Sequence, residues 1–238
     1  TANELPAEAF ISTTNLKSIV LPKNLTAIGD FAFQDSGIEE LVLPKNVTSL
    51  GRDIFYYARN LKALSVENGN PVFDSRDNCN AIIETATNTL RIGCVNTKIP
   101  TNVTALGDMA FSGKPGLEEI EIPNSVTSIG WASFWADAEL TKVKMSAGIT
   151  HISESPFGGC DNISSFVVDK KNPKYDSRNN CNAIIETATN TLIQGFATTK
   201  IPEGVKVIAT AAFRSLATLT EIEIPASVEK IEPEAFLY

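Results

Sequence analysis

Apolar residues recur along the chain in a two-part pattern. The first part reads L-x-x-I-x-I, as in residues 117–122, and the alternation at its end predicts a strand with one buried face. The second part reads V-x-x-I-G-x-x-A-F, as in residues 25–33 with Leu in first place, and its Phe marks the turn that sends the chain back. A Pro usually separates the two parts. This suits the end of a strand, because Pro has no N–H to give to a sheet.

The Pro, or the residue that replaces it, sets the period. Its positions are separated by 22 or 23 residues except for two intervals of 33, and they are 22, 44, 67, 100, 123, 146, 169, 202 and 225. One strand per period cannot bury its apolar side alone, so stacked coils with parallel strands and return segments are the stable arrangement. The sequence therefore predicts one solenoid domain over residues 1–238, with nine coils, one parallel β-sheet and little regular helix.

The two long intervals contain the same thirteen residues, NCNAIIETATNTL, at 78–90 and at 180–192. Around them, residues 70–100 and 172–202 match at 23 of 31 positions. Short apolar runs flank the polar stretch ETATNT, so each of the coils 68–100 and 170–202 is predicted to project a β-hairpin, with strands at 81–83 and 89–92 and at 183–185 and 191–193. Duplication of a four-coil block explains the identity, and a shared binding role is the alternative.

Several strings in the chain resemble a known family of repeats. LTEIEIPASVEKIEPEAF, LEEIEIPNSVTSIGWASF and IEELVLPKNVTSLGRDIF are similar to the BspA-like leucine-rich repeats of bacterial surface proteins, and the resemblance covers nearly the whole chain. It implies an α/β-type leucine-rich-repeat solenoid in a secreted or cell-surface protein, with a secretion signal before Thr1. It also implies a non-enzymatic role in adhesion or in recognition of a protein ligand, such as a host extracellular matrix protein.

The charge of the chain excludes some partners. The net charge is −8, and the 20 Lys and Arg residues form no basic cluster. Nucleic acid and anionic membrane surfaces are therefore not expected to bind. No apolar run approaches the roughly 20 residues that span a bilayer, so we also expect no membrane insertion.

No arrangement of reactive side chains indicates an enzyme, a cofactor or a metal site, and nucleotide-binding and nucleophile motifs are missing. His151 is the only histidine and stands at a variable repeat position, which predicts a surface residue. The four cysteines form no metal-binding cluster. Cys94 stands where the other copy has Phe196, which predicts a buried thiol, and we expect all four thiols to be free. Residues 74–78 superficially resemble a calcium loop, but their second copy lacks one carboxylate, so a turn is favoured.

Two sets of side chains are candidates for binding. Outward positions of the predicted sheet carry charges of both signs, which suits contact with a protein; they include Glu118, Glu119, Glu121, Lys142 and Lys144. Aromatic residues in the return segments could form a platform for sugar, although packing between coils explains them more simply; they are Tyr56, Tyr57, Trp131 and Trp135. A glycan-binding module is therefore the alternative function.

Both ends of the chain fall in the return half of a coil, and neither has an obvious polar cap. A terminal coil of a solenoid exposes half of its apolar ladder unless it is covered. The candidates for such exposure are Phe10, Ile19, Phe236 and Leu237. We therefore expect either flanking segments or end-to-end self-association.

Overall fold

The backbone of the computed structural model, which describes residues 3–237, winds into a β-solenoid of about ten turns. This confirms the predicted solenoid, and the number of turns is close to the nine coils of the sequence pattern. Among the described residues there is no α-helix; Arg76–Asn78 and Arg178–Asn180 form single turns of the 3₁₀ type. The predicted scarcity of regular helix is therefore also confirmed.

Short strands account for the regular structure. Within residues 3–237 there are nineteen: β1 (Glu4–Leu5), β2 (Ala27–Ile28), β3 (Glu40–Leu43), β4 (Ser49–Leu50), β5 (Ala63–Val66), β6 (Phe73–Asp74), β7 (Ala81–Glu84), β8 (Thr89–Gly93), β9 (Ala105–Leu106), β10 (Glu119–Ile122), β11 (Ser128–Ile129), β12 (Lys142–Met145), β13 (His151–Ile152), β14 (Ser165–Val168), β15 (Tyr175–Asp176), β16 (Ala183–Glu186), β17 (Thr191–Gly195), β18 (Val207–Ile208) and β19 (Lys230–Ile231).

The L-x-x-I-x-I part of the repeat forms four-residue strands in two separate parallel sheets, one of β3 and β5 and one of β10, β12 and β14. We call the three-stranded one the front sheet. These strands pair in parallel, β3 with β5, and β12 with both β10 and β14. Their side chains alternate as the sequence pattern predicts. Ile120 and Ile122 point into the core, whereas Glu119 and Glu121 are exposed.

The V-x-x-I-G part of the repeat forms a second series of parallel pairs, which we call the back strands. They have two residues each, and β11 pairs in parallel with both β9 and β13. The prediction of one parallel sheet therefore needs correction: parallel pairs line both walls of the solenoid, and the back series is interrupted twice. The return segment becomes extended at its buried apolar residue, such as Ile129, and there it hydrogen-bonds to the equivalent residues of the next coil.

The duplicated residues form the two predicted hairpins, β7–β8 and β16–β17, with the same register in both copies. The hairpins are confirmed, but the prediction that they project from the coils is wrong. Strand β8 also pairs in parallel with β9, and β17 pairs in parallel with β18, so each hairpin is built into the back wall. The apolar residues of β7 and β16 are fully buried, which a projecting hairpin would not allow.

Strand β7 separates two parts of the hydrophobic core. Ile82 packs into the cluster formed by the N-terminal coils, whereas Ala81 and Ile83, on the opposite face, pack into the cluster of the middle coils. Strand β16 repeats this arrangement, with Ile184 in the middle cluster and Ile185 in the C-terminal one. Each hairpin therefore covers the apolar end of one block of coils and starts the next.

The Phe of each return segment stacks on the Phe of the next coil within a block. Ring centroids lie 4.9–5.4 Å apart in five pairs, Phe10–Phe33, Phe33–Phe55, Phe111–Phe134, Phe134–Phe157 and Phe213–Phe236. Within residues 3–237 no such stacking links one block to the next. A residue of the hairpin occupies each interruption: Cys94, which is buried as predicted, in the first copy and Phe196 in the second.

An asparagine, half-buried in the first copy and buried in the second, joins each hairpin to the preceding coil. The side-chain amide of Asn172 donates to the backbone oxygens of Ser146 and Ile149, and its Oδ1 accepts from the amides of Lys174 and Tyr175. Asn70 makes the equivalent four bonds in the first copy. Both copies retain this residue because it satisfies backbone groups that the irregular coil leaves without partners.

Two glycines allow the hairpins to dock, and this yields a prediction. A Cβ on Gly93 would overlap the ring of Phe111, and one on Gly195 would overlap Phe213. We expect Gly93→Ala and Gly195→Ala each to lower the free energy of unfolding by about 1–3 kcal/mol, because the added methyl displaces a buried ring. Chemical denaturation measures the loss. The double variant Gly93→Ala/Phe111→Leu should lose less than the sum of the single variants, and strict additivity would contradict the proposed overlap.

Candidate functional site

The front sheet presents an open charged surface over β10, β12 and β14. Glu121 Oε1 accepts a 2.6 Å hydrogen bond from Lys144 Nζ, and Glu119 Oε2 lies 3.7 Å from Lys142 Nζ. The register places each Glu directly opposite its Lys, so charges of opposite sign face each other on neighbouring strands. The exposed Val167 lies opposite Lys144 on the next strand.

These four charged side chains line a shallow groove of about 530 Å³. Glu118 immediately precedes β10 and is also exposed. Because the four side chains of the ion pairs are 59–73% exposed, the pairs contribute little to folding stability. The hydrogen bond to Glu121 raises the pKa of Lys144, so this lysine is fully charged at neutral pH. The groove is therefore a solvated pattern of alternating charge, available for contact.

A second groove lies on the back of the solenoid, where the first hairpin interrupts the stack; we call it the junction groove. One wall is formed by residues 50–56, the floor by Glu84 and residues 89–92, and the opposite wall by residues 107–114 together with Trp131. Its volume is about 640 Å³. It closes where Gly113 packs against the backbone of Tyr57.

The junction groove results from a break in the hydrogen bonds between coils. Inside a block, the stacked Phe and the residue two positions later both donate their amides to the next coil, as Phe33 does to Ile54 and Asp35 to Tyr56. Among the described residues, the amides of Phe55 and Tyr57 have no such acceptor. The hairpin lies between the two coils, and the amide of Gly93 donates to the backbone oxygen of Ala110 in the next coil.

A buried lysine bridges the inner end of this break. Lys114 Nζ donates to the backbone oxygens of Phe55 and Ser112, each at 3.0 Å, although the side chain is almost completely buried. Burial lowers the pKa of Lys114 to about 8, against the opposing influence of Asp137. Asp137 is also buried, which raises its pKa, and its Oδ1 accepts a 2.6 Å bond from the amide of Lys114.

Two further carboxylates face the junction groove. Asp53 is half-buried, and no hydrogen bond from the described residues reaches its carboxylate; burial raises its pKa. Asp108 stabilises the wall formed by residues 107–114 and Trp131, because its Oδ1 accepts a 2.7 Å hydrogen bond from the amide of Trp131. Three cationic side chains, Arg52, Arg91 and Lys114, balance the three anionic ones, which are Asp53, Glu84 and Asp108. The groove therefore has little net charge.

The four aromatic candidates separate in the structure. Tyr56 and Trp131 line the junction groove, and Trp131 is 49% exposed. Trp135 packs over Gly158 of the next coil, where a Cβ would overlap its ring. Tyr57 stacks edge-on against Tyr56 with ring centroids 4.4 Å apart, and Arg59 lies over its face. The sequence spacing of Trp131 and Trp135 thus brings only the first of them to this groove.

An equivalent groove of about 320 Å³ lies at the second hairpin. Its floor keeps the same residue, Glu186 in place of Glu84, but the walls differ. Ser155 replaces Asp53, and the positions of Tyr56 and Trp131 are taken by Gly158 and Pro233. On the floor, Ile193 replaces Arg91, so the duplication provides two junctions that share one glutamate and differ in the rest of their lining.

The remaining chemical candidates form no site within residues 3–237. His151 is exposed, as predicted, and all four cysteines are free and buried, which raises the pKa of each thiol. Burial alone would raise the pKa of Asp74, but the hydrogen bonds from Arg76 outweigh it and the pKa is lowered, so this carboxylate already has a cationic partner. No group of three or more potential metal ligands occurs in the described part of the chain.

The repeat family can now be assigned. The model of the BspA type leucine rich repeat region matches the chain in six copies, over residues 1–85, 92–191 and 185–238. The chain belongs to the BspA-type leucine-rich repeat family. A search of the curated proteins found no match.

Solved structures share the solenoid of this BspA-type chain. A leucine-rich repeat protein from Eubacterium ventriosum aligns with a TM-score of 0.68 and 20% identity, over 99% of this chain and 73% of its own. A leucine rich cell surface protein from Faecalibacterium prausnitzii aligns with a TM-score of 0.64 and 24% identity, over 99% and 54%. The pneumococcal vaccine antigen PcpA aligns with a TM-score of 0.58 and 18% identity, over 98% and 62%. These similarities establish the fold.

Sequence reasoning missed Lys114, Asp53 and Asp108, although the repeat contained a signal for the first. Lys114 stands three residues after the stacked Phe, a position taken by Ala58 in one block and by Leu216 in another. The next coil has Asp137 at the same position, and two opposite charges in a column that also holds buried apolar residues indicate buried polar groups that need partners. No helix in the part of this BspA-type chain that the structure describes is long and apolar enough to cross a membrane.

The buried lysine predicts a pH-dependent difference in stability. Lys114 has a pKa of about 8 in the folded chain and an ordinary value of 10.5, so between these values the unfolded chain binds a proton that the folded chain has released. Folding stability from this group therefore rises with pH in that window, by at most about 1.4 kcal/mol per pH unit. We expect Lys114→Met to lose this contribution. The raised pKa values of Tyr56 and the cysteines make folding stability fall as the pH rises. These groups are common to both proteins, so their effects largely cancel in the comparison.

Denaturation of both proteins at pH 7.5, 8.5 and 9.5 provides the measurement. The stability of the wild-type chain relative to Lys114→Met should increase across this series. A constant difference between the two would show that Lys114 keeps its proton in the folded chain.

Proposed function

We propose that this chain is a non-enzymatic recognition and adhesion module of a secreted or cell-surface protein, and that it binds a protein partner through the front sheet. Membership of the BspA-type family supports an interaction role. A structural relative from Faecalibacterium prausnitzii is named as a cell surface protein, which supports the location. An extracellular or matrix protein of a host is the class of partner that fits this setting.

The composition of the front sheet is the observation that carries the proposal. Charged pairs occupy the middle coils, with Glu121 beside Lys144, and the exposed apolar side chain of Val167 stands at the same repeat position on the next strand. Protein interfaces combine apolar contact area with polar groups that fix the register of the partner. The surface is shallow and its ion pairs are solvated, which suits a broad protein surface better than a small molecule.

The proposal predicts that reversing two charges on the front sheet weakens partner binding. In Glu119→Lys/Glu121→Lys, like charges face Lys142 and Lys144, while the exposed side chains keep the effect on stability small. We expect binding to purified host matrix proteins, measured by surface plasmon resonance, to weaken by about tenfold or more.

The duplication offers a matched control. Glu221→Lys/Glu223→Lys changes the same two repeat positions 102 residues later and should leave binding unchanged. Wild-type binding to none of the matrix proteins, or equal loss in the test and control variants, would argue against recognition at this surface.

A further inference from the structure

We infer that the junction groove is a second binding site, for a neutral saccharide, separate from the front sheet. The inference does not depend on the proposed protein partner, because the groove lies on the opposite wall and shares no lining residue with the front-sheet groove. Its volume of about 640 Å³ falls within the range of small-ligand sites in proteins, roughly 300–1,000 Å³.

Trp131 supplies the surface for stacking. Its side chain is 49% exposed, whereas Trp135, four residues later, is packed against the next coil. The backbone of Trp131 is fixed by a hydrogen bond to the preceding coil, because its amide donates to Asp108 Oδ1 at 2.7 Å. A large exposed ring on a held backbone provides a flat apolar face for the C–H groups of a sugar at little entropic cost.

Asp53 supplies an acceptor that the protein leaves unused. Its carboxylate is half-buried at the wall of the groove, and no described residue donates a hydrogen bond to it. A partly desolvated carboxylate without a donor is unfavourable, and a ligand rich in hydroxyl groups would satisfy it. Arg52 and Arg91, also on the lining, are donors for ring and hydroxyl oxygens.

The charge balance of the groove selects against ionic ligands. Three cations and three anions line it, and the cations already have partners: Arg52 contacts Asp30, Arg91 contacts Glu84, and Lys114 is bound to backbone oxygens. The cations are therefore not free to bind an anionic ligand, and the balanced charge of the lining gives little long-range attraction to a cationic one. A neutral molecule with many hydroxyl groups and apolar faces fits this lining, and that description is a saccharide.

The second groove provides an internal comparison. It keeps Glu186 in place of Glu84 on the floor, but Ile193 replaces Arg91 there, and Ser155, Gly158 and Pro233 stand at the positions of Asp53, Tyr56 and Trp131. The two copies thus differ in the groups that would contact a sugar and agree in those that hold the hairpin. Saccharide binding is therefore assigned to the first junction alone.

The test begins with the full chain on a printed array of neutral and anionic oligosaccharides. We expect binding to at least one neutral glycan, followed by measurement of its affinity by isothermal titration calorimetry. Trp131→Ala and Asp53→Ser should each weaken that affinity by about tenfold or more, because each removes a central contact. Glu154→Ser, at the second groove, and Glu121→Lys, on the front sheet, should leave it unchanged.

Fluorescence gives a readout that does not depend on mutating the site. The chain has two tryptophans, so Trp135→Phe leaves Trp131 as the single one. Saturation with the neutral glycan should protect Trp131 from quenching by acrylamide. The inference is overturned if no neutral glycan binds, if anionic glycans alone bind, if binding survives in Trp131→Ala, or if the bound glycan leaves quenching unchanged. Loss of matrix-protein binding in Trp131→Ala, without any glycan binding, would instead make the groove a peptide site.

Discussion

Strand β7 is covered by core on both faces, and the rest of the architecture depends on this double burial. A strand at the wall of a solenoid normally buries every second side chain, whereas Ala81, Ile82 and Ile83 are all inaccessible to solvent. Continuous apolar runs of this kind belong to strands with both faces covered. Because Ile82 faces the N-terminal coils and its two neighbours face the middle coils, one short strand ends one block and begins the next.

The double burial of β7 affects the two walls of the solenoid differently. The hairpin enters the back wall through β8, which interrupts both the Phe stack and the hydrogen bonds between return segments. The resulting gap needs Lys114 to bridge its inner end and leaves a groove at its outer end. Over the middle coils, the front wall remains an unbroken parallel sheet, β10 to β14, with its charges in register. The insertion thus adds a groove to the back wall, whereas the charged surface of the front wall follows from the regular repeat.

The parts that could be predicted from the sequence are those with a repeating local pattern. The alternation in L-x-x-I-x-I determines the front strands and the pairing of Glu121 with Lys144, and the stacked Phe follows from its fixed place in the repeat. The back strands have two residues each, which is too short for alternation to show. The run of three apolar residues at 81–83 is typical of a strand buried on both faces, but it is equally compatible with one strand of a projecting hairpin. Lys114 meets the oxygen of Phe55, 59 residues earlier, and such a contact is invisible to any local pattern.

Hydrogen exchange in two single variants tests the separating role of β7 most directly. Ile82→Ala and Ile83→Ala remove the same atoms from adjacent residues of one strand, and each should cost about 2–4 kcal/mol as a buried truncation. The account predicts that the two variants destabilise different blocks of coils. Amide exchange should rise in residues 21–66 for Ile82→Ala and in residues 103–149 for Ile83→Ala, because exchange reports local opening. Faster exchange in the same block for both variants would contradict the conclusion that this strand divides the core.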